Sequence, residues 1–192
     1  MYAYSVHFII GSLLFFGILA CKNEKAHDIK PSGIQFPLDW LGYWEGDLKI
    51  YNDTGLSMNI AMALDLDTLS GDSLLQWTLI YDLDGNKDER KYFLKPVERN
   101  KGHWVTDEDN SIMLDGFVLD NGYYTFFEVG SNRIETAYIL SGEEMIFENR
   151  VTQSDTLRVS GETTQDGEKI PSVRSYRVSG LQKAKLVKTV KQ

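Results

Sequence analysis

From Leu56 to Leu66 an apolar side chain falls on every second position. Leu56, Met58, Ile60, Met62, Leu64 and Leu66 alternate with Ser57, Asn59, Ala61, Ala63 and Asp65. A period of two sorts side chains onto the opposite faces of an extended chain, and a run of this length leaves no place for the 3.6-residue period of a helix. The pattern recurs at Leu75, Trp77, Leu79 and Tyr81, at Ile134, Thr136, Tyr138 and Leu140, and at Met145, Phe147, Asn149 and Val151. Between the runs stand Asn52-Asp53-Thr54-Gly55, Asp84-Gly85-Asn86, Asp120-Asn121-Gly122 and Ser141-Gly142. Asn, Asp and Gly tolerate the positive φ that tight hairpin turns demand, so these segments join antiparallel neighbours.

The spacing predicts strands near 43–51, 56–66, 73–83, 89–97, 101–107, 112–119, 122–129, 132–140, 143–151, 155–163 and 170–179. The stretch 181–190 is ambiguous. Leu181, Ala184, Val187 and Val190 fit a helix, whereas Ala184, Leu186 and Val190 fit a strand. Short connections make sequence neighbours spatial neighbours. An up-and-down meander of about ten strands leaves two long edges unless it closes, and closure removes the aggregation hazard of an edge. The expected fold is therefore all-β, an antiparallel up-and-down barrel in preference to a sandwich.

The ends of the chain differ from its middle. Residues 1–20 hold no Asp, Glu, Lys or Arg, and the apolar segment Phe8–Ala20 is too short to span a bilayer. A short hydrophobic segment ending on a small residue has the form of a signal peptide, although the residues before it carry His7 and no Lys or Arg. Ile18-Leu19-Ala20-Cys21 resembles the lipobox of bacterial lipoproteins. That resemblance implies acylation of Cys21 (palmitate among the chains) and a lipid anchor in the cell envelope, on the periplasmic or surface face, expected in the outer membrane. Cys21 is the single cysteine, so no internal disulfide is possible. Residues 21–35 then read as the lipidated Cys and a polar tether broken by Pro31 and Gly33, and 36–192 as the barrel domain.

Charge excludes one class of partner. The formal total is −8; residues 1–30 carry +1 and the last twelve +4, so residues 31–180 carry −13. A surface of that sign repels phosphate backbones, and no nucleic-acid partner is expected. Protein partners are left open by the sequence.

At the start of the first strand, Gly42-Tyr43-Trp44-Glu45-Gly46 sets a large ring between two glycines. The Gly42-x-Trp44-x-Gly46 pattern resembles the signature of the calycin group: lipocalins, fatty-acid-binding proteins and nitrobindin-like barrels. The resemblance implies a barrel whose Trp plugs the closed base. Glycine on either side permits the close backbone approach that a wide ring at a barrel end requires. Only Asn52–Gly55 separate the first two strands, so neither the helical lid of fatty-acid-binding proteins nor the lid loop of lipocalins is present there. The nitrobindin-like barrel matches best in outline, but its haem-holding His lies on a late strand and this chain has no His after His103. No cofactor is expected.

Residues suited to catalysis or metal binding are sparse. Of three histidines, His7 and His27 precede the domain and leave His103 alone within it, too few for a zinc site without cysteines. Asp82-x-Asp84-x-Asn86-x-Asp88 imitates half an EF-hand loop, but Lys87 stands where glycine is required and Phe93 where the bidentate Glu belongs. A hairpin tip explains it better, and no metal site is expected. There is no G-x-S-x-G elbow, and Asp107, Glu108 and Asp109 read as a solvated turn. Enzymatic activity is not the favoured expectation. Late in the chain, Arg174 and Tyr176 resemble the Arg-x-Tyr pair that holds the fatty-acid carboxylate in fatty-acid-binding proteins. With Trp77, Tyr81, Met58 and Met62 as apolar lining, this resemblance implies a small apolar or amphipathic ligand. The alternative is a packed barrel serving as a structural or protein-interaction module of the envelope.

Overall fold

A computed structural model describes residue 33 and residues 35–71 and 73–191. The expectations for the signal peptide, Cys21 and most of the tether lie outside the described residues. The described part begins with a turn of 3-10 helix, Leu38–Trp40. Nine strands follow in sequence: β1 (Gly42–Asn52), β2 (Gly55–Ser70), β3 (Leu74–Leu83), β4 (Asn86–Glu98), β5 (His103–Asp107), β6 (Met113–Leu119), β7 (Gly122–Val129), β8 (Asn132–Ser141) and β9 (Glu144–Ser160). A small hairpin, β10 (Thr164–Gln165) with β11 (Glu168–Lys169), precedes the last strand, β12 (Val173–Thr189).

Each strand from β1 to β9 pairs with the next, and β12 pairs with both β9 and β1, closing an antiparallel barrel of ten strands. The closure seam is long. Its register sets Trp44 against Lys188, Leu48 against Ala184 and Tyr51 against Leu181. Across the other edge of β1, Trp44 faces Leu64 and Leu48 faces Ile60. The period-two sets of the sequence become the inner wall, with Leu64, Leu66, Leu75, Leu94, Met145 and Leu186 all essentially buried.

Two expected boundaries disappear. Segments 143–151 and 155–163 form the single strand β9, and 170–179 joins 181–190 as β12. The polar run Thr152-Gln153-Ser154 stays extended because its partners continue past it, and the amide of Ser154 donates to the carbonyl of Ser131 at 2.9 Å. On β12 the register shifts repeatedly between Ser175 and Gly180, so the strand bends there by bulges instead of ending. Ala184 and Leu186 are buried on the inner wall, which settles 181–190 as strand over helix. β5 starts at His103, after a short 3-10 turn at Arg99–Lys101 that ends on Gly102 at φ 66°.

The base is closed from within. Trp40, completely buried, lies edge-on to Phe36 at 4.9 Å, and Phe36 meets Trp104 edge-on at 5.1 Å and stacks on Tyr123 at 5.5 Å. Trp44 is 1% exposed and donates its indole N–H to the carbonyl of Trp40 at 2.8 Å. Gly46 lies at the closest approach of the seam, where a Cβ would overlap the Lys185 carbonyl oxygen. Gly42 holds φ 121°, a region closed to L side chains without strain.

Candidate functional site

The packed base leaves the other end of the barrel to a cavity of about 230 Å³. Its floor is aromatic. Trp77 meets Tyr138 edge-on at 4.8 Å, and Tyr138 lies 5.0 Å from Phe147 at a tilt. These three rings are 2–6% exposed. They arise from the alternation itself: Trp77 on β3, Tyr138 on β8 and Phe147 on β9 all occupy inward positions, and the last two are register partners.

Above the floor the walls differ. On one side Thr125, Thr136 and Asn149 stand in one row across β7, β8 and β9, each the register partner of the next. Both threonines are buried. The side-chain oxygen Oδ1 of Asn149 is buried with no hydrogen-bond partner, an arrangement that costs about 1–3 kcal/mol unless something supplies a donor. On the other side Tyr81 on β3 and Tyr92 and Arg90 on β4 line the cavity. Arg90 enters the lumen because Leu79 is its partner across β3 and β4 and shares the inward face. Its Nε and Nη2 donate to Oδ2 of Asp88 at 3.0 and 2.8 Å, and its guanidinium lies 5.0 Å from the centre of the Tyr81 ring.

Glu108, in the turn between β5 and β6, completes the mouth. Burial pushes the Tyr81 hydroxyl up to about 12, against the pull of Arg90. Burial likewise takes Tyr123 to about 12, against the hydrogen bond at 3.0 Å with the Thr106 hydroxyl. Tyr92 is raised too, first by burial and then by the negative charge of Glu108. All these hydroxyls stay protonated and neutral at ordinary pH. The cavity is thus a ring-lined pocket with hydroxyls, an unpartnered carbonyl-type oxygen and a carboxylate at its mouth.

A larger depression, about 570 Å³, crosses the outer wall over β1, β9 and β12 and is bordered by Glu45, Asp47, Lys49, Lys183 and Lys185. These residues alternate with inward Trp44, Leu48 and Ala184, so the groove lies outside the barrel. Its charges are solvated, as in the Lys185–Glu144 pair at 2.6 Å, whose side chains are about half exposed. Size alone does not make it the better site. The lumen has burial, an unsatisfied acceptor and converging rings.

Of the residues singled out from sequence, Trp77 and Tyr81 line the lumen. Met62 is buried as the register partner of Tyr81, and Met58 is 42% exposed toward the open end of β2. Arg174 is exposed and faces Val159 on the β9–β12 ribbon. Tyr176 lies under the Arg133 guanidinium at 4.4 Å, whose hydrogen bond lowers the phenol pKa. Neither Arg174 nor Tyr176 lines the lumen; the cation there is Arg90. Asp82–Asp88 forms the β3–β4 hairpin tip, where Asp82 Oδ1 accepts from the Gly85 amide at 2.7 Å. His103 stacks on Phe117 and lies 2.6 Å from Asp115. Asp107 accepts from Lys95 at 2.6 Å, which holds its carboxyl below the usual range.

No family model matches the chain, and no curated protein matches it. Among solved structures it is similar to the S-type phycobiliprotein lyase CPES from Guillardia theta, with a TM-score of 0.55 at 7% identity, covering 79% of this chain and 89% of that one. At such identity the likeness is one of fold: a calycin-like closed barrel.

Proposed function

We propose that the protein is a small-molecule-binding barrel that takes an apolar or amphipathic guest into its lumen. The observation that carries this is the half-packed interior: rings and aliphatic side chains fill the base, yet Trp77, Tyr138 and Phe147 floor an open cavity of about 230 Å³. A barrel built only as a scaffold gains by filling that space, because packed interiors leave few voids larger than a water molecule. The buried, unpartnered Oδ1 of Asn149 supports the same reading. The volume equals about eight waters at ~30 Å³ each, below the ~300–1,000 Å³ of drug-sized sites. The guest is therefore small, or it leaves part of itself outside the mouth.

In the same proposal Cys21 is acylated and the protein is held at the bacterial cell envelope. The described chain enters the barrel at its closed base, through Phe36 and Trp40. The binding function is tested by displacing an apolar fluorophore from the protein with small aromatic alcohols. Ile134→Trp, which fills the lumen wall, is expected to abolish binding while circular dichroism stays that of the folded barrel. A folded wild type that takes up no such probe favours the packed interaction module instead.

A further inference from the structure

Resting on the lumen as a binding site, we propose that its guest is an organic cation, an amine with a small apolar body, and not an amphipathic acid. Three observations converge. First, the lining is rich in rings: Trp77, Tyr81, Tyr92, Tyr123, Tyr138 and Phe147 all reach the cavity. Ring faces attract ammonium and guanidinium groups, and more strongly where water is excluded. One of these rings already does so within the protein, because the Arg90 guanidinium lies 5.0 Å from the Tyr81 centroid.

Second, the charge at the mouth is acidic once its pairs are accounted for. Among the described lining residues Arg90 is the single cation. Two of its donors are committed to Oδ2 of Asp88, so the pair carries no net charge. Glu108 remains, its contact being a long hydrogen bond of 3.4 Å from the Asn110 amide. Arg90 and Glu108 are the charged residues that line the mouth, and Asp88, just outside it, offsets Arg90, which leaves the Glu108 carboxylate without a cation of its own there. A carboxylate guest would have to share Arg90 with Asp88 and approach Glu108 as well. An ammonium meets no such opposition.

Third, the buried polar atom that lies against the lumen without a partner, Oδ1 of Asn149, is an acceptor. Asn149 Oδ1 needs a donor, and an ammonium brings up to three. The hydroxyls of Thr125 and Thr136, in the same row, can accept as well as donate. Rings below, acceptors on one wall and a carboxylate at the entrance suit a protonated amine whose apolar body rests on the floor. The −9 of residues 31–192 (the total of −8 less the +1 of residues 1–30) acts in the same direction over longer range, drawing cations toward the domain.

The test is calorimetric titration of the full-length protein with three probes of one shape: phenethylamine, phenethyl alcohol and phenylacetate, at neutral pH and low salt. The amine is expected to bind about tenfold or more tightly than the alcohol, and the acid most weakly. Glu108→Gln is expected to weaken the amine about three- to tenfold and to leave the alcohol unchanged. If the acid binds as well as the amine, or if Glu108→Gln affects amine and alcohol alike, the cation proposal is overturned while small-molecule binding stands. If a folded protein binds none of the three, both fall.

Discussion

The indole N–H of Trp44 donates to the backbone carbonyl of Trp40 at 2.8 Å, with both side chains essentially buried. This bond ties the first strand to the turn that closes the base, and it explains the position of the ring between two glycines. Trp44→Ala is expected to cost about 3–5 kcal/mol through lost burial and the cavity left behind. Trp44→Phe keeps most of the burial and leaves the Trp40 carbonyl without that donor, for about 1–2 kcal/mol. Urea midpoints of the two variants measure both, and a Trp44→Ala protein as stable as wild type would contradict the plug.

Gly46 carries a separate demand at the seam. A Cβ there collides with the backbone carbonyl of Lys185, and backbone in a closed sheet moves only with its neighbours. Gly46→Ala is expected to lose about 1–3 kcal/mol, although alanine is otherwise the mildest substitution. Thermal denaturation of Gly46→Ala beside Gly55→Ala separates the two kinds of glycine. Gly55 has open space around its Cβ position and is demanding only in its φ of 116°.

How much of this was legible in the sequence follows from where a regular period exists. The runs 56–66, 75–81 and 132–151 alternate, and strand and face could be read from them directly; burial could not, because Leu56 and Met58 near the open end of β2 are 57% and 42% exposed. Trp77 and Tyr81 fell into the lumen for that reason. Arg90 did not, because Asn86-Lys87-Asp88-Glu89-Arg90-Lys91 is polar throughout and shows no preferred face. Only the register with Leu79 turns Arg90 inward. Asn149 was visible as an inward position, but its lack of a partner depends on closure of the barrel around it. Arg174 and Tyr176 share a strand with the inner wall, yet Tyr176 lies within the bulges at 175–180 and Arg174 beyond them, where alternation no longer reports which side is inside.

The buried phenols give the barrel an alkaline limit. Folding holds Tyr81 and Tyr123 at about 12, whereas the unfolded chain ionises them near 10. Between these values the unfolded state binds fewer protons than the native one, so stability falls as pH rises. The stabilisation is complete below about pH 10 and is lost by about pH 12. Each tyrosine contributes a slope of up to about 1.4 kcal/mol per pH unit. Denaturant midpoints measured from pH 9 to 12 should show this fall, and it should be shallower in Tyr81→Phe.

Anchoring is tested apart from the barrel. Cys21→Ser is expected to give an exported protein found in the soluble fraction, whereas the wild type fractionates with membranes. A variant that stays in the membrane would show that residues 1–20 act as an uncleaved anchor.

Binding inside the lumen is tested most directly by following backbone amide shifts in a ¹⁵N NMR titration with phenethylamine. Perturbations are expected to cluster at Thr125, Thr136 and Asn149 across β7, β8 and β9, with Tyr81 and Tyr92 on the facing wall. Shifts confined to Glu45, Lys49, Lys183 and Lys185 would place the guest in the outer groove and contradict the account.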